Sequence, residues 1–286
     1  MCSACVRYMV WNGNYGCDVG GEEGAMNDSL GYFCMVLHTH IPYVLGHGTW
    51  PHGSEMLYEA VAGCYLRLLD CLNALLSQGI RARITMSITP VVMEQLSDER
   101  FKGWFSANLE HRIATAAYNR EEFEWRNEPH LAVLAQRWQE HFIALRDAFH
   151  QRYFADIIGS FRYLQEQGAI ELMTSAGTHG YLPLLREEGS VHAQIEVGVH
   201  TYRRHFGRQP HGFWLPECAY RPQCMWDVPS EIGPTGSPWF RKGLEQWLAL
   251  NGIEYFIVDS HGFGDGHPIA VDVERADPSR DGPLWR

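Results

Sequence analysis

In HGFWLPECAY, residues 211–220, a single carboxylate, Glu217, stands among Trp, Pro, Cys and Tyr. Carboxylates are almost never fully buried unless something pairs with them, so Glu217 is either a local accident or an ionisable group placed for chemistry. Two other stretches hold ionisable side chains at short spacing: His38 and His40 in GYFCMVLHTH, and Asp259 and His261 in IEYFIVDSHG. Residues two apart in a strand point to the same face, so His38 and His40 would act together. Two chemistries can use these groups. Neutral imidazoles plus a carboxylate are ligands for zinc with an open position for water. That makes His38, His40, Asp259 and His261 candidates for a metal-dependent hydrolase of the amidohydrolase or deacetylase kind. A glutamate can instead attack a glycosidic carbon as nucleophile, with a second carboxyl group about 5–5.5 Å away for retention of configuration. The metal chemistry leaves Glu217 and the ten tryptophans idle. The sugar chemistry uses Glu217 first, with His and Trp as binding groups, and is preferred.

These groups need elements to hold them. Apolar runs rich in strand formers occur at 31–40, 81–90, 169–177, 211–216 and 253–262. The first, 31–40, is too continuous for a half-exposed strand and suits a buried parallel one. Between them lie helical patterns. One covers 54–78, with Ser54 as N-cap, an apolar stripe through Leu57, Ala60, Val61, Cys64, Leu68, Leu72 and Leu75, and Gly79 as stop. A second runs from Ser190 to Gly207, and a third opens at Ser237-Pro238 and stops at Gly252. A segment at about 91–167, charged and Trp-rich, reads as a helical excursion. Strands alternating with helices imply a parallel sheet, closed or open, with ligands bound beyond the carboxyl ends of the strands. After the successive strands come His38 and His40; Thr89; Thr174, Ser175, Thr178 and His179; Trp214 and Glu217; and Asp259 and His261. Convergence of such ends at one rim outweighs any single member.

The totals exclude several classes. A formal net charge of −11 argues against nucleic-acid or anionic-membrane partners, which are sought with Lys and Arg. No secretory signal and no membrane-length apolar run is read in the sequence, so the expected setting is the cytoplasm. Eight cysteines read mostly as small core residues in a reducing compartment. Residues 1–28, without periodicity, read as a disordered leader or a mis-assigned start, with Met26 as the better one.

HTHIPYV (38–44), ELMTSAGTHGYLPLL (171–185), GFWLPECAY (212–220) and YFIVDSHG (255–262) closely resemble, in order, motifs of glycoside hydrolase family 57. The nearest subgroup is that of the 1,4-α-glucan branching enzymes. The resemblance runs from about Gly31 to near the C-terminus. It implies an α/β fold, an incomplete (β/α)7 barrel with a helical insertion at about 91–167, occupying 29–286. It also implies a retaining mechanism on α-1,4-glucans such as amylose or a glycogen-like polysaccharide, with no metal or other cofactor. Glu217 matches the family's nucleophile, which forms a covalent glycosyl-enzyme; His38, His40, His179, Trp214, Asp259 and His261 would bind sugar around the scissile bond.

One part of the family pattern has no counterpart. The family's acid/base is an aspartate in a later motif, and ADPSRDGPLWR at the end of this chain holds nothing like it. Asp265, Asp272, Asp277 and Asp281 sit in Gly- or Pro-rich surroundings that read as loop. A helical C-terminal region and a tyrosine within 262–286 are missing from the pattern as well. The expectation is the N-terminal part of such an enzyme, with open strand edges that favour aggregation. Three readings stay open: a glucan enzyme lacking its acid/base, a metal-dependent hydrolase, and a glucan-binding remnant without catalysis. Branching, 4-α-glucanotransfer and hydrolysis differ in the acceptor that the intermediate meets, which the sequence does not fix.

Overall fold

The computed structural model describes residues 7–8, 33–226 and 238–259. Five strands lie side by side, all parallel and in chain order: β1 Met35–Thr39, β2 Ile84–Ile88, β3 Ile170–Ser175, β4 Gly212–Trp214 and β5 Tyr255–Ile257. The sheet curls into a half-barrel surrounded by helices, the incomplete barrel expected. Arg7–Tyr8 pairs antiparallel with Val36 and Met35 along the free side of β1. The rest of the 1–28 leader lies outside the described residues.

Cross-strand register sorts the side chains onto two faces. Leu37, Met86 and Leu172 are opposite one another, as are Thr174, Phe213 and Phe256. This outer face packs against the helices in two cores, one around Leu57, Phe101, Phe149 and Phe161, the other around Val191, Ile195, Leu244 and Leu248. The inner face carries the rows Val36–Thr85–Glu171, His38–Ser87–Met173 and Ser175–Trp214–Ile257. Apolar contact there is limited to a small cluster centred on Met173, Trp214 and Cys218. Strands β2, β3 and β4 are buried along nearly their whole length, whereas β1 and β5 are mostly half-buried.

Helix α1, Ser54–Ser77, departs from the expected stripe. Ser54 is its first residue rather than its cap; Gly53 precedes it and no side chain caps the end. A π turn at Val61–Tyr65 interrupts the α geometry. One extra residue in a turn rotates everything beyond it by about 100°. The buried set is therefore Leu57, Tyr58, Ala60, Val61, Tyr65, Leu66, Leu69 and Leu72, while Cys64, Leu68 and Leu75 are only half-buried. By length and composition α1 could cross a membrane, contrary to the reading of the sequence. Leu57, Val61, Leu66 and Leu69 are instead fully buried in the protein core.

The excursion is narrower than 91–167. Helix α2, Pro90–Ser97, has proline in its first turn, and α5, Ile157–Glu166, packs on β3. The hairpin of α3, Glu99–Trp125, and α4, Pro129–Asp147, stands out from the sheet. Helix α6, Glu188–Phe206, starts two residues before the expected Ser190 and ends at Gly207, whose φ of 69° supplies the left-handed cap. The helix expected from Ser237-Pro238 is corrected: Trp239–Arg241 is a strand paired with Cys224–Trp226, and α7 spans only Leu244–Leu250. The cysteine reading is corrected too. Among the described residues Cys218 is buried, Cys64 and Cys224 are half-buried, and Cys34 and Cys71 are exposed.

Candidate active site

Beyond β4 the chain turns sharply through Leu215 and Pro216. Glu217 and Cys218 both adopt left-handed backbone, with φ of 56° and 55°. Two consecutive non-glycine residues there cost of order 1–3 kcal/mol each. The turn is fixed by Cys218 N–H donating to Leu215 O (2.8 Å) and Ala219 N–H to Pro216 O (3.1 Å). It answers the sequence puzzle. Leu215, Pro216 and Cys218 face inward and buried, and the flipped backbone turns Glu217 out to solvent.

Beside it, at the ends of β1 and β3, three imidazoles stack. His38 lies 5.1 Å from His179, and His40 lies 4.1 Å from it, ring centroid to ring centroid at 22° and 26°. His38 also lies flat on Trp214, at 4.2 Å and 8°. Trp214 is only 4% exposed and so forms the floor beneath His38. His179 adopts left-handed backbone, φ 56°. Its loop is tied to α6 by Gln194, which accepts from Thr178 N–H at 2.8 Å and donates to Thr178 Oγ1 at 2.9 Å. His40 Nδ1 sits 3.2 Å from Thr89 Oγ1. That side chain faces the imidazole instead of capping α2, whose N-cap is Thr89.

The three rings are held neutral. Burial, and then the neighbouring His40, pushes His38 down to about 3. Burial, with His40 and His38, does the same to His179. Burial lowers His40 as well, and the Glu217 carboxylate acts against that shift, so the glutamate lies within electrostatic reach of this imidazole. The inner face also holds buried polar atoms without a partner: His38 Nδ1, Ser87 Oγ and Trp214 Nε1. Buried polar atoms are nearly always paired, so these three leave the inner face under-satisfied, at a cost in stability.

Of the residues named from the sequence, His38, His40, His179, Trp214 and Glu217 come together. Asp259 is next to them through its N–H, which donates to Cys218 O at 3.3 Å; His261 lies outside the described residues. Among the described residues no three His, Cys, Asp or Glu side chains are grouped to share an ion. A cavity of about 750 Å³ lies away from this rim, between Trp50, Glu59 and the α3–α4 hairpin at Asn108, Arg112 and Trp138.

Sequence reasoning missed the support behind Glu217. Arg221 and Arg241 are 1% and 0% exposed. Arg241 Nε donates to Glu188 Oε1 (2.7 Å), and its Nη atoms donate to Pro183 O (3.3 Å) and Leu185 O (2.6 Å). Arg221 donates to Lys242 O (2.9 Å) and Pro222 O (3.0 Å). Trp247 Nε1 donates to the second oxygen of Glu188 at 2.9 Å. The cluster joins the loop after His179, the loop after Glu217 and α7. The only signal in the sequence was arginine among Trp, Tyr and Pro.

A family model described as glycosyl hydrolase family 57 matches residues 34–279. The chain is similar to a 1,4-alpha-glucan branching enzyme of Thermococcus kodakarensis, 40% identical over 236 residues, which are 82% of this chain and 33% of that protein. Among solved structures it resembles a GH57-type branching enzyme of Pyrococcus horikoshii, with a TM-score of 0.71 and 43% identity over 77% of this chain and 40% of that one. It also resembles the alpha-amylase AmyC of Thermotoga maritima, with a TM-score of 0.66 and 33% identity over 82% of this chain and 41% of that one. The chain spans 33% of the length of the curated relative and about 40% of each solved one.

Proposed function

The chain belongs to glycosyl hydrolase family 57, and we propose that it acts on α-1,4-glucan in the cytoplasm, through Glu217 as the nucleophile of a retaining reaction of the branching or glycosyl-transfer type. The observation that carries this reading is the outward-flipped Glu217 beside the His38–His179–His40 stack. A carboxylate oxygen of Glu217 attacks the anomeric carbon; the bond from that carbon to the glycosidic oxygen breaks, and a glycosyl-enzyme ester forms. The leaving oxygen takes its proton from a general acid that no residue here is assigned to supply. Neutral imidazoles suit the neighbouring work. They exchange hydrogen bonds with sugar hydroxyls without adding charge beside an ionised nucleophile.

The test is the intact mass of the folded chain after incubation with α-maltosyl fluoride. Fluoride leaves with little help from an acid, so the first half-reaction is isolated. We expect a glycosyl adduct that maps to Glu217 and is absent in Glu217→Gln. A folded chain that binds maltoheptaose yet forms no adduct would leave binding without catalysis. Stoichiometric zinc in a protein that binds no glucan would favour the metal hydrolase.

A further inference from the structure

Ser175, at the end of β3, is fully buried, and its hydroxyl meets two groups. Oγ lies 2.7 Å from the main-chain oxygen of Trp214 and 2.9 Å from Nδ1 of His179. A serine hydroxyl has one proton to donate. A carbonyl oxygen only accepts, so that proton goes to Trp214, and Oγ has only lone pairs left for His179. Nδ1 of His179 must then be the donor. The ring is neutral, because burial and its histidine neighbours hold it so. A neutral imidazole with its proton on Nδ1 has a bare Nε2.

We propose that Ser175 is a positioning residue that fixes His179 as the Nδ1–H tautomer, so that Nε2 offers the ligand a hydrogen-bond acceptor suited to a sugar hydroxyl. The identity of the ligand rests on the glucan reading above; the tautomer does not. The backbone of Ser175 is held in place. It is paired with Trp214 in the ladder, and α6 sits directly against its carbonyl, since a Cβ at Gly198 would lie 2.0 Å from Ser175 O. The neighbouring Thr174 Oγ1 donates to Gly198 O at 2.9 Å. His179 is anchored by its own N–H, which donates to Ala176 O at 3.0 Å. Stacking on His40 engages a ring face, so a ligand's polar contact is made at the ring edge. Nε2 has no hydrogen-bond partner among the described residues.

Long-range proton–nitrogen correlation spectra of the ¹⁵N-histidine-labelled chain read the tautomer directly. We expect a protonated Nδ1 and a bare Nε2 at His179 in the unaltered chain, and loss of that pattern in Ser175→Ala. Maltoheptaose should move the Nε2 resonance and bind about tenfold more weakly to Ser175→Ala, as for one hydrogen bond, with recovery in Ser175→Thr. A protonated Nε2 in the unaltered chain overturns the proposal even if Ser175→Ala does not fold. So does a folded Ser175→Ala that keeps the Nδ1–H pattern. If the tautomer results hold and maltoheptaose leaves Nε2 unmoved, the positioning role stands and the glucan assignment falls.

Discussion

Two polar clusters flank the turn that carries Glu217, and they are built on opposite terms. Arg221, Arg241 and Glu188 are charged, and most of their polar atoms are spent on protein partners in four separate segments. The histidine cluster is uncharged and held largely by ring stacking, and it leaves His38 Nδ1 and Trp214 Nε1 without partners. Using up hydrogen-bonding capacity gives rigidity. Leaving it unused costs stability, and the half-buried rings of His40 and His179 are what the cluster shows at the rim. On the proposed reading the molecule separates holding the turn from receiving a glucan, and the two tasks should fail separately.

The largest expected effect is on the saturated cluster. Arg241→Met removes one partner of a buried pair and strands the carbonyls of Pro183 and Leu185. It should destabilise the chain by about 3 kcal/mol, at the low end for broken buried pairs, because Glu188 keeps some solvent and Arg221. Urea denaturation checks this, and a loss under ~1 kcal/mol would break the contrast. Gly198→Ala comes next. Its methyl would meet Ser175 O at 2.0 Å, so overpacking of about 1–3 kcal/mol is expected, together with loss of the His179 Nδ1–H signature.

Acid should separate the clusters by pH window. His38 and His179 have pKa values lowered from 6.5 to about 3 in the folded chain, so between those limits the unfolded state binds more protons. Stability is therefore full above pH 6.5 and falls as the pH drops towards 3, by up to about 1.4 kcal/mol per unit for each histidine. For Glu188, burial alone would raise the pKa. The hydrogen bonds from Arg241 and Trp247 and the charges of both arginines outweigh it and hold the group below its ordinary 4.5. Its contribution is present above 4.5 and is lost below. Thermal midpoints against pH should show both limbs. Glu188→Gln should remove the lower one, and His38→Phe with His179→Phe should shrink the upper one, the rest of which belongs to His40, His141 and His205. The smallest stability effect is expected for His38→Phe, under about 1 kcal/mol, since a ring still covers Trp214. Yet it should abolish glucan binding, and retention of binding would remove His38 from the site.

Much of this was legible in the sequence for definite reasons. Short runs rich in strand formers marked the five strands, and polar residues just past Thr39, Ile88, Ser175 and Trp214 marked the rim. Gly207 stopped α6 where its left-handed φ requires it. Other features depend on partners distant in the chain. Arg241 is buried because it reaches Glu188 and two carbonyls 53–58 residues away, and nothing local signals that. For the same reason Trp239–Arg241 was read as the start of a helix, although the strand pairing to Cys224–Trp226 decides it. Ser175 looked like one polar residue among several. Its role depends on Trp214 O, 39 positions on.

The π turn in α1 sets what changes of chain length that helix accepts. Deleting one residue from 61–65 should leave a continuous α-helix with Leu66, Leu69 and Leu72 still facing the core, whereas straightening the turn without a deletion would swing them about 100° away from it. A homologue that lacks the extra residue must carry its apolar positions beyond it one place nearer to those before. Gap and pattern are then inherited as one unit, and an alignment that slides the gap a few positions along will match buried residues with exposed ones.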